Sequence, residues 1–241
     1  IRLPEKVLKP IVSKLLIELL LDRLSLSSEL DEIVVATSEE IQDDKLQSTV
    51  ESLGYRCIRG SEKDVLNRFY ESAKILDADV IVRITGDCPL VDSGLVDECI
   101  RGYKDTKVDY FSNIDPATYP DGLDIEVMSF QSLELANNKA DSEFDREHVT
   151  PYIRNSDTFS KSSIQYSEDL SHQRWSVDEP EDLVVVTRIF EHFSPEIFFD
   201  WKQVSELIKL KPELFAENQI IKNNEGSTIA VSYTHLRAHE T

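Results

Sequence analysis

The residue in this 241-residue chain best placed to do chemistry is a carboxylate just past the end of a buried strand. Residues 80–84 (Val-Ile-Val-Arg-Ile) form a β-branched run broken only by Arg83, the pattern of a strand buried in a parallel sheet, and Thr85-Gly86-Asp87-Cys88-Pro89 stops it. Open α/β sheets bind ligands outside the carboxyl ends of their strands, so Asp87 stands where a metal ligand is expected. The alternative is an aspartate that only caps its turn, and both readings stay open on these residues alone. Asp178, ahead of Glu179-Pro180-Glu181-Asp182, reads by itself as a helix N-cap. His148, before Val149-Thr150-Pro151, is either a general base or a residue that orients its loop. His235 and His239 have helical spacing, but no third ligand or preceding glutamate accompanies them.

Composition narrows the partners. With 26 basic against 46 acidic residues the formal charge is -20, which argues against a broad nucleic-acid surface or contact with an anionic membrane. A polyanionic substrate therefore needs a local cationic pocket or a divalent ion. No run approaches the roughly 20 apolar residues of a membrane span. Cys57, Cys88 and Cys99 are odd in number and lack metal-ligand spacing, so they read as reduced thiols of a cytoplasmic protein.

The elements that must position these residues follow from hydrophobic periodicity. Apolar residues at 12, 15, 16, 19, 20 and 24 predict a helix over 12–24. A buried strand at 33–37, a helix ended by Gly54, a strand at 55–58 and a helix with Ser61 as N-cap lead to the 80–84 strand. Strand and helix alternating at this spacing predict a parallel, doubly wound sheet. Beyond Asp87, a helix over 93–103 and a strand over 108–112 precede the turn Tyr119-Pro120-Asp121-Gly122. Residues 123–130 alternate apolar and acidic side chains, as in a half-exposed strand. A helix over 130–139, a strand near 162–166, a last core strand at 174–178, a helix from 178 through 190 and an outer helix over 201–210 complete the domain.

Five blocks, in this order, resemble the CMP-sugar synthetase (acylneuraminate cytidylyltransferase) superfamily, and most closely its spore-coat polysaccharide biosynthesis branch. They are Arg2-Leu3-Pro4-Glu5-Lys6-Val7-Leu8, Arg83-Ile84-Thr85-Gly86-Asp87-Cys88-Pro89-Leu90, Tyr119-Pro120-Asp121-Gly122-Leu123-Asp124, Arg146-Glu147-His148-Val149-Thr150-Pro151-Tyr152, and Arg174-Trp175-Ser176-Val177-Asp178-Glu179-Pro180-Glu181-Asp182. The resemblance implies an α/β fold of the nucleotide-diphospho-sugar transferase type, a three-layer α/β/α sandwich with a mostly parallel sheet, over residues 1–224. It implies transfer of CMP from CTP to a sugar or sugar-acid hydroxyl with release of pyrophosphate, and a homodimer. Asp87 and Asp178 would hold Mg2+, Arg2 and Lys6 would contact the triphosphate, and Arg83 would join the nucleotide site. The bottom-up chemistry agrees, because attack on an α-phosphate needs positioning and neutralised oxygens, and magnesium favours hard oxygen ligands.

Asp121, Asp124 and Glu126 are expected either to line the sugar pocket, with His148 nearby, or to form an acidic solvent face. Arg174 is expected to hold a substrate carboxylate or to pair with a neighbouring acid. Two departures from the family pattern bear on activity. The first strand and its nucleotide-binding loop do not precede Arg2, so strands beside that position are expected to carry unpaired backbone groups and the chain to be inactive without them. Glu5 stands where the family usually has glycine, and an acid there is expected to repel CTP unless it points outward. Residues 225–241 read as a non-native, adapter-derived tail. The competing functions are a related-fold glycosyltransferase that uses a nucleotide sugar and an inactive binding remnant.

Overall fold

The structure, a computed structural model, describes Leu3 and residues 5–219; Arg2, the His235 and His239 pair and the tail at 225–241 lie outside the described residues. In chain order the elements are β1 (Pro10–Ile11), β2 (Lys14–Leu15), α1 (Leu16–Leu24), β3 (Val34–Ser38), α2 (Asp44–Ser52), β4 (Arg56–Gly60), α3 (Val65–Ile75) and β5 (Val80–Arg83). They continue with α4 (Ser93–Thr106), β6 (Tyr110–Ser112), β7 (Glu126–Ser129), α5 (Phe130–Lys139), α6 (Glu143–His148), α7 (Pro151–Asn155), β8 (Lys161–Ser163), α8 (Pro180–Phe193) and α9 (Trp201–Leu210).

The main sheet has the spatial order β5-β7-β6-β8. β7 runs against β5 and β6 while β8 runs with β6, so β5, β6 and β8 share one direction and β7 alone reverses. Period-2 alternation sends side chains of the same strands to opposite layers. Val82, Val127 and Phe111 join the core with α1, α4, α8 and α9, whereas Ile81, Met128 and Tyr110 join a second core with α3, α5 and α7. This is a three-layer α/β/α sandwich. α4 seats closely on β6 because Gly102 has no side chain; a Cβ there would lie 2.4 Å from Phe111 Cζ. α1 buries Leu16, Ile17, Leu19, Leu20, Leu21 and Leu24, each such side chain contributing about 1.5–3 kcal/mol. The buried Arg23 among them donates to the carbonyls of Val91, Ile197 and Phe199, so its charge is solvated by backbone.

Three expectations need correction. The predicted 12–24 helix begins only at Leu16, because Pro10–Leu15 folds as the β1–β2 hairpin with Val12 in the left-handed region at φ 55°. The 123–130 strand is neither half-exposed nor at an edge; β7 lies between β5 and β6 with Glu126 and Val127 buried, and its acids alternate for reasons found in the site below. The segment at 174–178 meets its neighbours through a single bridge, Asp121 with Arg174, rather than as a ladder strand.

β3 and β4 form a separate parallel pair. Side chains of β3 and β5 line a common cleft of about 510 Å³ that includes Val34, Ala36, Phe69, Ile81 and Val82, and it leads toward a second of about 170 Å³ under Leu20 and Leu21. Among the described residues no strand joins β3 to β5 across it.

Candidate active site

Three segments distant in sequence meet at the carboxyl end of β5. The Leu3 N–H donates to the Asp178 carbonyl at 2.7 Å, and the Val177 N–H donates to the Asp87 carbonyl at 2.9 Å. These backbone bonds fix the 3–6 segment, the 85–89 turn and the 177–178 segment side by side. Lys6 then reaches between the two acids, donating from Nζ to Asp87 Oδ2 at 2.5 Å and to Asp178 Oδ1 at 2.6 Å. Burial alone would lower the Lys6 pKa, but the charges and hydrogen bonds of Asp87 and Asp178 raise it above its ordinary value. Burial pushes Asp87 up, and the charge and hydrogen bond of Lys6 more than reverse that, leaving its carboxyl below the usual range.

Glu5 occupies the turn that brings Lys6 round. It is exposed, and its φ of 50° and ψ of 32° lie in the left-handed region, which glycine enters without steric cost. The position therefore explains the family's glycine by backbone geometry.

The wall of the site comes from the turn before β7. The Asp121 N–H donates to the Gln173 carbonyl, and the Trp175 N–H donates to the Asp121 carbonyl at 2.7 Å. Gly122, at φ +108°, lies so close to this segment that a Cβ would sit 2.6 Å from the Ser176 nitrogen. Asp121 is pushed up to about 6, chiefly by burial, with Arg174 opposing and Asp87 and Asp178 adding. Asp124 is pushed up to about 7, again by burial first and then by Asp121 and Glu126. Both half-buried carboxyls thus belong to the same electrostatic cluster as the Lys6 pair.

Other residues from the sequence analysis are engaged elsewhere. Arg83 and Glu126 are directly opposite across the β5–β7 ladder and form an ion pair, and the Tyr110 hydroxyl donates to Glu126 Oε1 at 2.6 Å. Glu126 is 1% exposed, so it is neither a solvent-facing acid nor open to a sugar, and Arg83 neutralises it. That cross-strand pair, with Asp124 in the site, is why acids alternate along residues 123–130. Arg174 takes the second of its two expected roles. Its Nε and Nη2 donate to the two oxygens of Asp182, both at 2.8 Å, and Nη2 also lies 3.4 Å from Asp178 Oδ2. His148 ends α6 with its ring 4.6 Å from that of Phe144. Val149 behind it has φ 73° and ψ −56°, and the Thr150 N–H donates to the His148 carbonyl, a tight strained turn that fixes the histidine's backbone.

Asp182 is the residue that sequence reasoning passed over. Fully buried, it accepts the Arg174 fork, the N–H groups of Asp178 and Glu179 at 3.0 and 2.9 Å, and the Asn218 amide at 3.1 Å. These bonds hold its carboxyl below the usual range despite burial. The signal was present: an acid at the third position of a helix that begins with proline, completing a capping box with Glu179.

The donor set suits a small hard cation. Asp87, after β5, and Asp178, ahead of α8, converge on one point, and magnesium is usually held by one or two carboxylates plus substrate phosphates and waters. Among the described residues no group of three or more His, Cys, Asp or Glu side chains is placed to hold a metal ion.

The cytidylyltransferase family model matches residues 1–224. The chain belongs to the cytidylyltransferase family. It is 37% identical over 216 residues to the uncharacterised protein MJ1063 of Methanocaldococcus jannaschii, covering 88% of this chain and 87% of that protein. It is 30% identical over 228 residues to the spore coat polysaccharide biosynthesis protein SpsF of Bacillus subtilis, covering 90% of this chain and 93% of that one. Among solved structures, a cytidylyltransferase from Leptospira borgpetersenii superposes with a TM-score of 0.86 at 31% identity, covering 92% of this chain and 94% of its own. The fold and its layer order are those of nucleotide-diphospho-sugar transferases of this cytidylyltransferase family.

Proposed function

We propose that this cytidylyltransferase transfers CMP from CTP to a hydroxyl of a sugar or sugar acid in surface polysaccharide biosynthesis, with release of pyrophosphate and dependence on Mg2+. The observation that carries the reading is the meeting of Asp87 and Asp178 on a single cationic point, Lys6 Nζ, at the carboxyl end of β5. SpsF, named for spore coat polysaccharide biosynthesis, supports the pathway class. Among the described residues no helix is long and apolar enough to cross a membrane, and Cys57, Cys88 and Cys99 are free thiols.

In this reaction the sugar oxygen attacks the α-phosphorus in line as the bond to the pyrophosphate oxygen breaks, so the protein's task is alignment and charge compensation. Asp87 and Asp178 would hold the magnesium ion, which supplies charge neutralisation at the phosphate oxygens and acidifies the attacking hydroxyl. Lys6 supplies a mobile positive charge for the departing phosphates, and Arg2, four residues earlier in the sequence, is proposed to do the same. Asp121 and Asp124, in the turn before β7, would accept hydrogen bonds from sugar hydroxyls. Asp182 positions Asp178 by accepting its backbone N–H, and Arg174, held by Asp182, touches the Asp178 carboxylate only at 3.4 Å.

A nucleotide and sugar panel scored by pyrophosphate release tests the reading, run on this chain and on one extended upstream by a strand and loop. CTP-dependent, magnesium-dependent release with a sugar acceptor is expected. Turnover of nucleotide sugars without pyrophosphate would instead assign a glycosyltransferase, and binding of CTP without turnover in the extended chain would assign a binding module.

A further inference from the structure

We propose that Lys6 is a tethered counter-cation of the divalent-ion site, occupying the ion's place until a nucleotide triphosphate draws it away. The inference rests on the reading above that Asp87 and Asp178 hold the ion. The geometry is exclusive. Lys6 Nζ is 2.5 Å from Asp87 Oδ2 and 2.6 Å from Asp178 Oδ1, whereas magnesium sits about 2.0–2.1 Å from its oxygen ligands. An ion shared by these two oxygens and the ammonium nitrogen would claim the same space.

The surroundings explain why a built-in cation stands there. Asp121 feels the charges of Asp87 and Asp178, and Asp124 those of Asp87 and Asp121, so carboxyls crowd the pocket and a cation there is favoured. The guanidinium of Arg174 is held by Asp182 and only grazes Asp178. Among the described residues, Lys6 is the cation paired with Asp87. Its charge sits on a flexible four-carbon stem, so it can leave without moving the backbone; a packed guanidinium fork could not do so as freely.

Two consequences follow for loading. Without nucleotide, a divalent ion must displace Lys6 and finds two protein oxygens, so it binds weakly. A triphosphate offers the ammonium new anionic partners and offers the ion its missing oxygens. The two events therefore favour each other, and by linkage the coupling is reciprocal. Lys6 serves here as a positioning residue that links the ion's arrival to the nucleotide's.

The test is Mn2+ binding followed by the loss of its free-ion spin-resonance signal, with and without a non-hydrolysable CTP analogue. Lys6→Met is expected to bind Mn2+ about tenfold or more tightly than the unsubstituted chain in the absence of nucleotide, because a competing charge is gone. Lys6→Arg keeps the charge and is expected to bind the ion as weakly as the unsubstituted chain, separating this role from a packing role. Asp87→Asn in the Lys6→Met background is expected to abolish the gain. The analogue is expected to tighten Mn2+ binding in both, through the oxygens it offers the ion, but by a larger factor in the unsubstituted chain than in Lys6→Met, where no ammonium has to be drawn away. Ion binding in Lys6→Met equal to or weaker than in the unsubstituted chain, alongside Asp87-dependent binding with the analogue, would overturn the role of Lys6 alone. Absence of any Asp87-dependent binding with the analogue would overturn the metal reading as well.

Discussion

Asp124 shows what burial does to a carboxyl that forms no ion pair among the described residues. Its pKa is pushed up to about 7 by burial, then by Asp121 and Glu126, while Arg83 is already committed to Glu126. The folded pKa exceeds the unfolded one, so between about pH 4 and pH 7 the native state holds a proton that the unfolded state has lost, and stability falls as pH rises through that window. Asp124→Asn removes the titration. It is expected to stabilise the fold by on the order of 2 kcal/mol at pH 8 and to make little difference near pH 4, read by urea unfolding at the two pH values. A constant difference across that range would show that Asp124 does not titrate as described. At this scale Asp87 stood out in the sequence because glycine and proline bracket it after a β-branched run. The partnership of Arg83 with Glu126 did not, because it depends on the β5–β7 register, which no local pattern supplies. Lys6 between two acids was equally invisible, since two long-range backbone hydrogen bonds joining three segments create that point.

Among the elements, the turn before β7 ties the sheet to the segment that carries Asp178. Gly122 makes this possible in two ways, through a φ of +108° and through backbone contact with Trp175 and Ser176. Gly122→Ala would place a Cβ 2.6 Å from the Ser176 nitrogen, where backbone must yield. The expected outcome is a loss of about 2–4 kcal/mol in stability and displacement of Asp121 from the cluster, seen as a lowered melting temperature together with weakened CTP binding. Unchanged stability would mean the turn is looser than its geometry indicates. Helices were the more legible elements, because α4, α8 and α9 each announce themselves by a cap and an apolar stripe. The hairpin ahead of α1 was missed because apolar residues at 12, 15 and 16 satisfy a helical period, while the positive φ of Val12 that breaks it leaves no trace in composition. The burial of β7 was missed because alternating acids signal water unless their partners are known.

At the level of the whole molecule, the layer order follows from strands that alternate their side chains between two helical cores, and that alternation could be read along the chain. The cleft between β3 and β5 is the less ordinary feature. Among the described residues β6 and β7 are paired on both sides, whereas β3 pairs only with β4 and β5 only with β7. Amides along the cleft edges of β3 and β5 are therefore expected to exchange with deuterium much faster than those of β6 and β7, by a hundredfold or roughly so, under native conditions. Equal protection across all four strands would show that the cleft edges are covered in solution. The cleft itself was not legible in the sequence, because it depends on which strands pair rather than on any local pattern.

The central claim is that Asp87 and Asp178 act as one unit on a divalent ion facing a triphosphate. Calorimetry of CTP binding with and without Mg2+, on Asp87→Asn, Asp178→Asn and the double variant, addresses it most directly. The prediction is that Mg2+ strengthens CTP binding in the unsubstituted chain, that either single substitution removes this strengthening, and that the double variant loses no more than either single one. Magnesium-dependent CTP binding that survives in either variant, or losses that add independently, would contradict it.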